Sequence, residues 1–153
     1  MLAADYEVIR VIREWVLKAE NDLTAAVQLL KLGKRCPADI VCFHAQQCVE
    51  KYVKALLVNH GRDFPKTHDL RALLAILPAR AWPDLTPEEQ HLLSRYATVT
   101  RYPGDYEVIP LAEARVAVKI ARRVRRQVRQ HLPKESLKSF VGGSVRTGKI
   151  TRT

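Results

Sequence analysis

A polar stripe lies on one face of the predicted second helix, in the segment CFHAQQCVEKYVKALL at residues 42–57. Its members recur at steps of three and four residues and so share one side of a helix: His44, Gln47, Lys51 and Lys54. Imidazole, amide and ammonium groups can line a groove that binds a phosphate or a base. The pattern also suits a solvated face with one ion pair, because Glu50 precedes Lys54 by one helical turn. Spacing alone leaves both interpretations open.

A second candidate surface is a stripe of cations on the predicted fifth helix. Its members recur at steps of four and three residues: Arg115, Lys119, Arg122, Arg126 and Arg129. Arg123 and Arg125 widen this face. Residues 115–153 carry 12 Lys and Arg against Glu135 alone, whereas residues 1–114 carry 14 against 15 acidic residues. Such a face is typical of a solvated surface, or of one that binds nucleic-acid backbone or an acidic partner.

Three further side chains are candidates for a binding site. His68 lies just inside the predicted start of helix three, where it either fixes the loop through hydrogen bonds or faces the Lys51 side of helix two. Tyr102 and Tyr106 flank a Pro-Gly pair. They are either core residues at the end of the molecule or surfaces on which a base stacks.

The three cysteines, Cys36, Cys42 and Cys48, are spaced six residues apart and point to different sides of a helix. An odd number at this spacing predicts neither a metal pair nor a disulfide framework. We predict small buried or half-buried apolar residues, with a reactive thiol as the alternative. No metal site and no cofactor are predicted. The chain has no apolar run of about 20 residues and no signal-peptide pattern, so we expect a cytoplasmic protein without membrane contact.

Helical periodicity predicts five helices with short connections. Thr67 is the predicted N-cap of helix three, and Thr86, Pro87 and Glu89 predict a capping box for helix four. The predicted spans are 5–32, Pro37 to about Asn59, about 68–78, Thr86 through Val99, and near Pro110 to Leu132.

These elements predict an all-α fold, an antiparallel up-and-down bundle over residues 1–133. Gly33 and Gly61 are the predicted stops of helices one and two. Residues 134–153 have no periodicity and a basic bias, and they are predicted to form a flexible tail.

Four segments, in this order along the chain, resemble the HEPN domain family: KAENDLTAAVQLL, FHAQQCVEKYVKALL, FPKTHDLRALL and YATVTRYPGDY. The resemblance covers roughly residues 12–130. It implies a helical bundle, usually a homodimer, in a family associated with nucleotides and RNA. Many members are encoded beside a small nucleotidyltransferase, often as a toxin–antitoxin pair, so the resemblance implies such a partner here.

Many other members of that family are metal-independent ribonucleases with an Arg-x4–6-His motif near the start of the last core helix. Arg101 stands at the matching place, but no His follows it within six residues. Arg62 and His68 have the required spacing, yet they lie between helices two and three, where the match is accidental. No catalytic residue is therefore assigned, and we expect a nucleotide- or RNA-binding module that also uses Arg101. An endoribonuclease with an unusual acid or base, and a scaffold for an acidic subunit, are the alternatives.

Overall fold

The computed structural model describes residues 3–97, Gly104 and residues 107–138. Within these ranges all regular structure is helical, which confirms the predicted all-α fold. Five α-helices follow one another along the chain: α1 (Ala3–Leu30), α2 (Ala38–Asn59), α3 (Leu70–Ile76), α4 (Pro87–Tyr96) and α5 (Leu111–His131). Short 3₁₀ turns lie at Gly33–Arg35, Ala79–Ala81 and Lys134–Leu137.

Apart from the short α3, the helices alternate in direction along the chain, as predicted for an up-and-down bundle. Trp15 on α1 contacts Lys54 near the end of α2, whereas Asp22 contacts His44 near its start, so α1 and α2 are antiparallel. Helix α4 is antiparallel to α5, since Glu89 at the start of α4 pairs with Arg123 and Tyr96 at its end bonds to Glu113. Helix α5 is also antiparallel to α1, because Arg13 near the start of α1 bonds to Glu135 just past α5, so α2 and α5 run in the same direction.

Helix α2 forms the centre of the core, because the other four α-helices pack against it or against its immediate neighbours. The predicted core stripe of α2 is confirmed, since all its members are fully buried: Val41, Ala45, Cys48, Tyr52 and Ala55. A solvated polar stripe, one of the two interpretations of the sequence, is wrong. Gln47 and Lys54 are buried, and His44 and Lys51 are half-buried. An enclosed helix has no free face, so its polar side chains need partners within the protein.

Helix α4 begins with the predicted capping box. The Thr86 hydroxyl accepts a hydrogen bond from the Glu89 amide at 3.1 Å, and the Glu89 carboxylate accepts one from the Thr86 amide at 3.1 Å. Pro87 occupies the first turn, where its missing N–H is not needed. The local sequence thus fixes this helix start, and the predicted box is confirmed.

The predicted N-cap of helix three, Thr67, is wrong. Helix α3 begins later, and its cap is Asp69, whose Oδ1 accepts from the amides of Arg71 at 3.0 Å and Ala72 at 3.3 Å. The Thr67 hydroxyl accepts instead from the Asp69 amide at 3.1 Å. The carboxylate satisfies two exposed amides at the positive end of the helix, which a threonine hydroxyl does less well.

Glycine ends the two N-terminal helices, as predicted. Gly33 and Gly61 have φ values of 57° and 63°, in the left-handed region that favours glycine. At the end of α2, the Arg62 amide donates to the Leu57 carbonyl at 2.9 Å. This bond closes the helix and turns the chain towards α3.

The described structure extends past the predicted boundary at residue 133. The turn Lys134–Leu137 packs on α1, Ser136 is buried, and Arg13 on α1 donates to the backbone carbonyl of Glu135. Leu137 in this turn is partly buried and packs against the core. Residues 139–153 of the predicted tail lie outside the described residues. None of the described helices is both long and apolar enough to span a bilayer.

Candidate functional site

Glu50 on α2 is the acceptor at the centre of a buried polar cluster, with its side chain only 2% exposed. The Lys54 ammonium donates to its Oε1 at 2.7 Å, which confirms the predicted ion pair. The Gln46 amide donates to its Oε2 at 3.0 Å, and Gln47 donates to the Gln46 oxygen at 2.6 Å. From the α2–α3 connection, His68 Nδ1 lies 3.1 Å from both carboxylate oxygens.

The charges of this cluster are balanced internally. Burial would raise the pKa of Glu50, but hydrogen bonds from Lys54 and Gln46 outweigh it and hold the pKa below its ordinary value. The Lys54 ammonium also lies 5.2 Å from the ring centroid of Trp15, which packs 6.2 Å from that of Phe64. The cluster therefore joins α1, α2 and the connection to α3.

A second carboxylate, Asp22 on α1, binds the other half of the polar stripe. His44 Nδ1 lies 2.8 Å from one oxygen of Asp22, and the Lys51 ammonium donates to the other oxygen. Asp22 is buried although it is acidic. It lies three residues after Ala19 and four before Ala26, both fully buried, and this position within the core face of α1 is the sequence signal for it.

The predicted polar stripe of α2 is thus divided between two carboxylates and joined to His68. Both interpretations of His68 hold in part. Its contact with Glu50 fixes the α2–α3 connection, as the first interpretation expected, and Glu50 lies on α2, the helix that the second interpretation expected His68 to face. In this arrangement the polar side chains connect α1, α2 and the loop before α3. That they bind a nucleotide stays a prediction. Three other predicted site residues lie outside the described residues: Arg101, Tyr102 and Tyr106.

The predicted cationic stripe of α5 is mostly free. Four members are exposed and form no hydrogen bond or ion pair with a described residue: Arg115, Lys119, Arg122 and Arg126. Arg129 differs, since its Nη1 lies 3.8 Å from Glu20 and 3.4 Å from the Tyr52 hydroxyl. The exposed row therefore ends at Arg126.

The two residues that widen the stripe are bound within the protein. Arg123 donates to the Glu89 carboxylate and, at 3.2 Å, to the Asp84 carbonyl, so it fastens α5 to the start of α4. Arg125 donates to Glu20 on α1 at 2.6 Å. Sequence spacing on α5 alone gives no signal for these partners, because they come from distant helices.

Two grooves lie between α1 and α5 and meet at Glu20 and Arg125. Each encloses about 430 Å³. The first is lined by Thr24 and Gln28 on α1, by the apolar Leu23 and Val27, and by the cations of α5, Arg122, Arg125 and Arg126. The second continues beside Arg129 to the turn at the end of the described chain. Together they form the α1–α5 groove, a basic channel that borders the exposed row of α5.

The three cysteines match their prediction as small apolar residues. Cys42 and Cys48 are buried, Cys36 is half-buried, and all three are free thiols. Burial raises the pKa of each thiol, to about 11 for Cys42. Among the described residues, no three His, Cys, Asp or Glu side chains are grouped closely enough to hold a metal ion.

Comparison with known proteins agrees with the sequence resemblance. Residues 12–131 match the family model of the HEPN domain. The crystal structure of TT1696 from Thermus thermophilus is 29% identical and covers 79% of this chain and 98% of its own, with a TM-score of 0.63. The crystal structure of ST0689, an archaeal HEPN homologue, is 26% identical over 78% and 96% of the two chains, with a TM-score of 0.62. A comparison with curated proteins gave no match.

Proposed function

Because this chain belongs to the HEPN domain family, we propose that it binds RNA through the phosphate backbone, along α5 and the α1–α5 groove. One observation carries the proposal: four exposed cations in a row on α5 have no described acidic partner, namely Arg115, Lys119, Arg122 and Arg126. Like charges at this spacing repel one another, and a bound polyanion removes that cost. The row extends over roughly 17 Å of helix, which is long enough for several nucleotides.

The lining of the groove supports contact with the backbone of the RNA and not with its bases. Thr24 and Gln28 face Arg122 and Arg126 across it, and such hydroxyl, amide and guanidinium groups commonly bind phosphate and sugar. The described lining contains no aromatic side chain on which a base could stack. We therefore expect binding that depends weakly on sequence and steeply on salt.

The proposed role is binding without cleavage. No His follows Arg101 within six residues, so the acid–base partner of the family's ribonucleases has no counterpart at that place. His44 and His68 are held by Asp22 and Glu50 instead. If the chain is an endoribonuclease after all, RNA is cleaved by the wild-type protein and not by the Arg101→Ala variant.

We further propose the assembly that the family resemblance implies: a cytoplasmic homodimer that pairs with a small nucleotidyltransferase in a toxin–antitoxin-like system. Light scattering after size-exclusion chromatography measures the oligomeric state, and a monomer would contradict the dimer. If a nucleotidyltransferase gene lies beside the gene of this chain, its product is the partner to co-express. Failure of the two purified chains to co-elute would exclude a stable complex.

RNA binding is tested by the anisotropy of a fluorescently labelled oligouridine of about 12 nucleotides. The wild-type chain should bind, and raising the salt from about 50 mM to about 200 mM should weaken binding steeply. The combined substitution Arg122→Gln and Arg126→Gln should weaken it by at least about tenfold, and should reduce the salt slope by roughly 0.7 for each lost phosphate contact.

The matched control substitutes Gln for two exposed arginines outside the described lining of the groove, Arg62 and Arg71. It lowers the net charge by the same amount as the substitutions at Arg122 and Arg126, so it measures the effect of net charge alone. Equal weakening by the two double variants would contradict a located binding face. Absence of binding by the folded wild-type chain at low salt would contradict RNA binding itself.

A further inference from the structure

We propose that Glu20 occupies the place of an RNA phosphate in the α1–α5 groove, and that RNA binds by displacing this carboxylate from Arg125. The inference rests on the proposed RNA binding and adds its regulation. The Glu20 carboxylate competes with RNA phosphate for Arg125 at the centre of the proposed site. Substitution of Glu20 should therefore strengthen RNA binding, whereas loss of a merely structural residue leaves binding unchanged or weakens it.

The geometry of the Glu20–Arg125 pair is that of a bound oxyanion. Arg125 Nε lies 2.6 Å from Oε1 of Glu20, and Nη2 lies 3.3 Å from Oε2, so the guanidinium donates to both carboxylate oxygens. A phosphate presents two oxygens to the same pair of donors. Arg129 Nη1 lies 3.8 Å from Oε1, and the Tyr52 hydroxyl also donates to Oε1. Donors from two helices thus surround one anionic position.

The position of Glu20 sets it apart from other acids of the chain. Both halves of the α1–α5 groove share Glu20 and Arg125, and their described linings contain no other acidic side chain. The cations that line them are Arg13, Arg122, Arg125, Arg126, Arg129 and Lys138. An RNA backbone that follows the groove must therefore pass Glu20, the one acidic side chain in its described lining.

The Glu20–Arg125 pair is accessible enough for an RNA phosphate to replace the carboxylate. The Glu20 and Arg125 side chains are 32% and 33% exposed, whereas Glu50 in the buried cluster is 2% exposed. Both side chains can therefore be reached by a ligand, and contacts of a phosphate with Arg125 and Arg129 would offset the loss of the carboxylate. Burial would raise the pKa of Glu20, but hydrogen bonds from Arg125 and Tyr52 outweigh it and lower the pKa. The carboxylate is thus charged near neutral pH and repels a phosphate until it moves aside.

The test compares RNA affinity for the wild-type chain, Glu20→Gln and the matched control Glu14→Gln by the same anisotropy assay. Glu14 is an exposed residue of α1 outside the described lining of the groove, so its substitution makes the same change in net charge. Loss of the competing carboxylate leaves Arg125 free for a phosphate and should raise affinity by about fivefold, and the control should change it by less than about twofold. The gain should disappear when Arg125→Gln is added, because Glu20 acts through Arg125.

A measurement on the wild-type chain covers the case in which Glu20→Gln does not fold. The ¹⁵N signal of the Arg125 Nε–H group, assigned with Arg125→Lys, should shift when RNA replaces the carboxylate. No shift at saturating RNA would overturn the inference.

The outcomes separate the two proposals. If the wild-type chain binds RNA and both Glu→Gln variants bind equally well, the competitor role of Glu20 is wrong and RNA binding stands. If Glu20→Gln binds more tightly than both the wild-type chain and Glu14→Gln, the competitor role is supported. If neither the wild-type chain nor folded Glu20→Gln binds RNA, the proposed function fails and this inference fails with it.

Discussion

The Nδ1 atom of His68 lies 3.1 Å from each carboxylate oxygen of Glu50, although the imidazole is 69% exposed and the carboxylate is 2% exposed. The contact joins the loop before α3 to the buried side of α2. An exposed residue thus completes a buried hydrogen-bond network.

Substitution of His68 by Ala should lower the free energy of unfolding by about 1 kcal/mol, because Glu50 loses one of its hydrogen bonds. Urea denaturation followed by circular dichroism measures the change. His91→Ala is the matched control, since His91 is exposed on α4. Equal losses from the two substitutions would show that the contact of His68 with Glu50 has no energetic role.

Substitution of Lys54 by Met should cost about 3–5 kcal/mol, because it leaves the buried carboxylate of Glu50 without its cation. The double variant with Glu50→Gln should recover part of that loss, since the uncompensated charge is gone. Lys18→Met is the control, because Lys18 is exposed and lies 6.0 Å from the same Trp15 ring. Additive effects of the two substitutions at Lys54 and Glu50 would contradict the coupling.

Acid should destabilise the fold through Glu50. Its pKa is lower in the folded chain than its ordinary value, so the unfolded chain binds more protons and acid favours unfolding. The contribution of Glu50 is complete above about pH 4.5 and is lost as the pH falls through the lowered pKa. Unfolding free energies measured from about pH 6 to about pH 3 should fall less steeply for Glu50→Gln. Glu88→Gln, an exposed control on α4, should keep the wild-type slope; a wild-type slope in Glu50→Gln would contradict the prediction.

Features that depend on local spacing were predictable from the sequence. The capping box at Thr86, the glycine stop at Gly61 and the core stripe through Tyr52 each follow from residues a few positions apart. The family resemblance has the same origin, because it rests on four short segments in a fixed order along the chain.

Features that depend on packing between helices were not predictable from spacing. Glu20 and Arg125 are 105 positions apart, and Asp22 and Lys51 are 29 apart, so periodicity within one helix cannot show either pair. Nothing in the sequence of α2 itself shows that α1 covers its polar stripe, so spacing leaves the two interpretations of that stripe open. The partners of Arg123, Arg125 and Arg129 lie on other elements, so the sequence of α5 alone does not show which of its cations are free.

The thiols should differ in reactivity according to their burial. In the native chain Cys36 should react with Ellman's reagent, whereas Cys42 and Cys48 should react only after unfolding, because both are buried and burial raises their pKa values. All three should titrate in denaturant. Cys36→Ser should abolish the native reaction; fast labelling that persists in this variant would contradict the assignment.

Gly61→Ala should lower the free energy of unfolding by about 1 kcal/mol, because an alanine at a φ of 63° is strained. No atom would lie within 4 Å of an added side-chain carbon, so the loss comes from the backbone alone. Gly61→Asn should cost less, since asparagine tolerates the left-handed region better. Thermal unfolding of both variants measures the difference, and an equal loss would argue against backbone strain as the cause.

The central position of α2 also determines how the protein opens. Helix α2 is enclosed on most sides, and its backbone cannot reach water unless its neighbours separate. Amide protons in its middle should therefore exchange with deuterium only through global unfolding, at the full unfolding free energy. Amide protons near the start of α1 exchange through local fraying. The whole bundle then behaves as a single cooperative unit, with α2 as its most slowly exchanging segment.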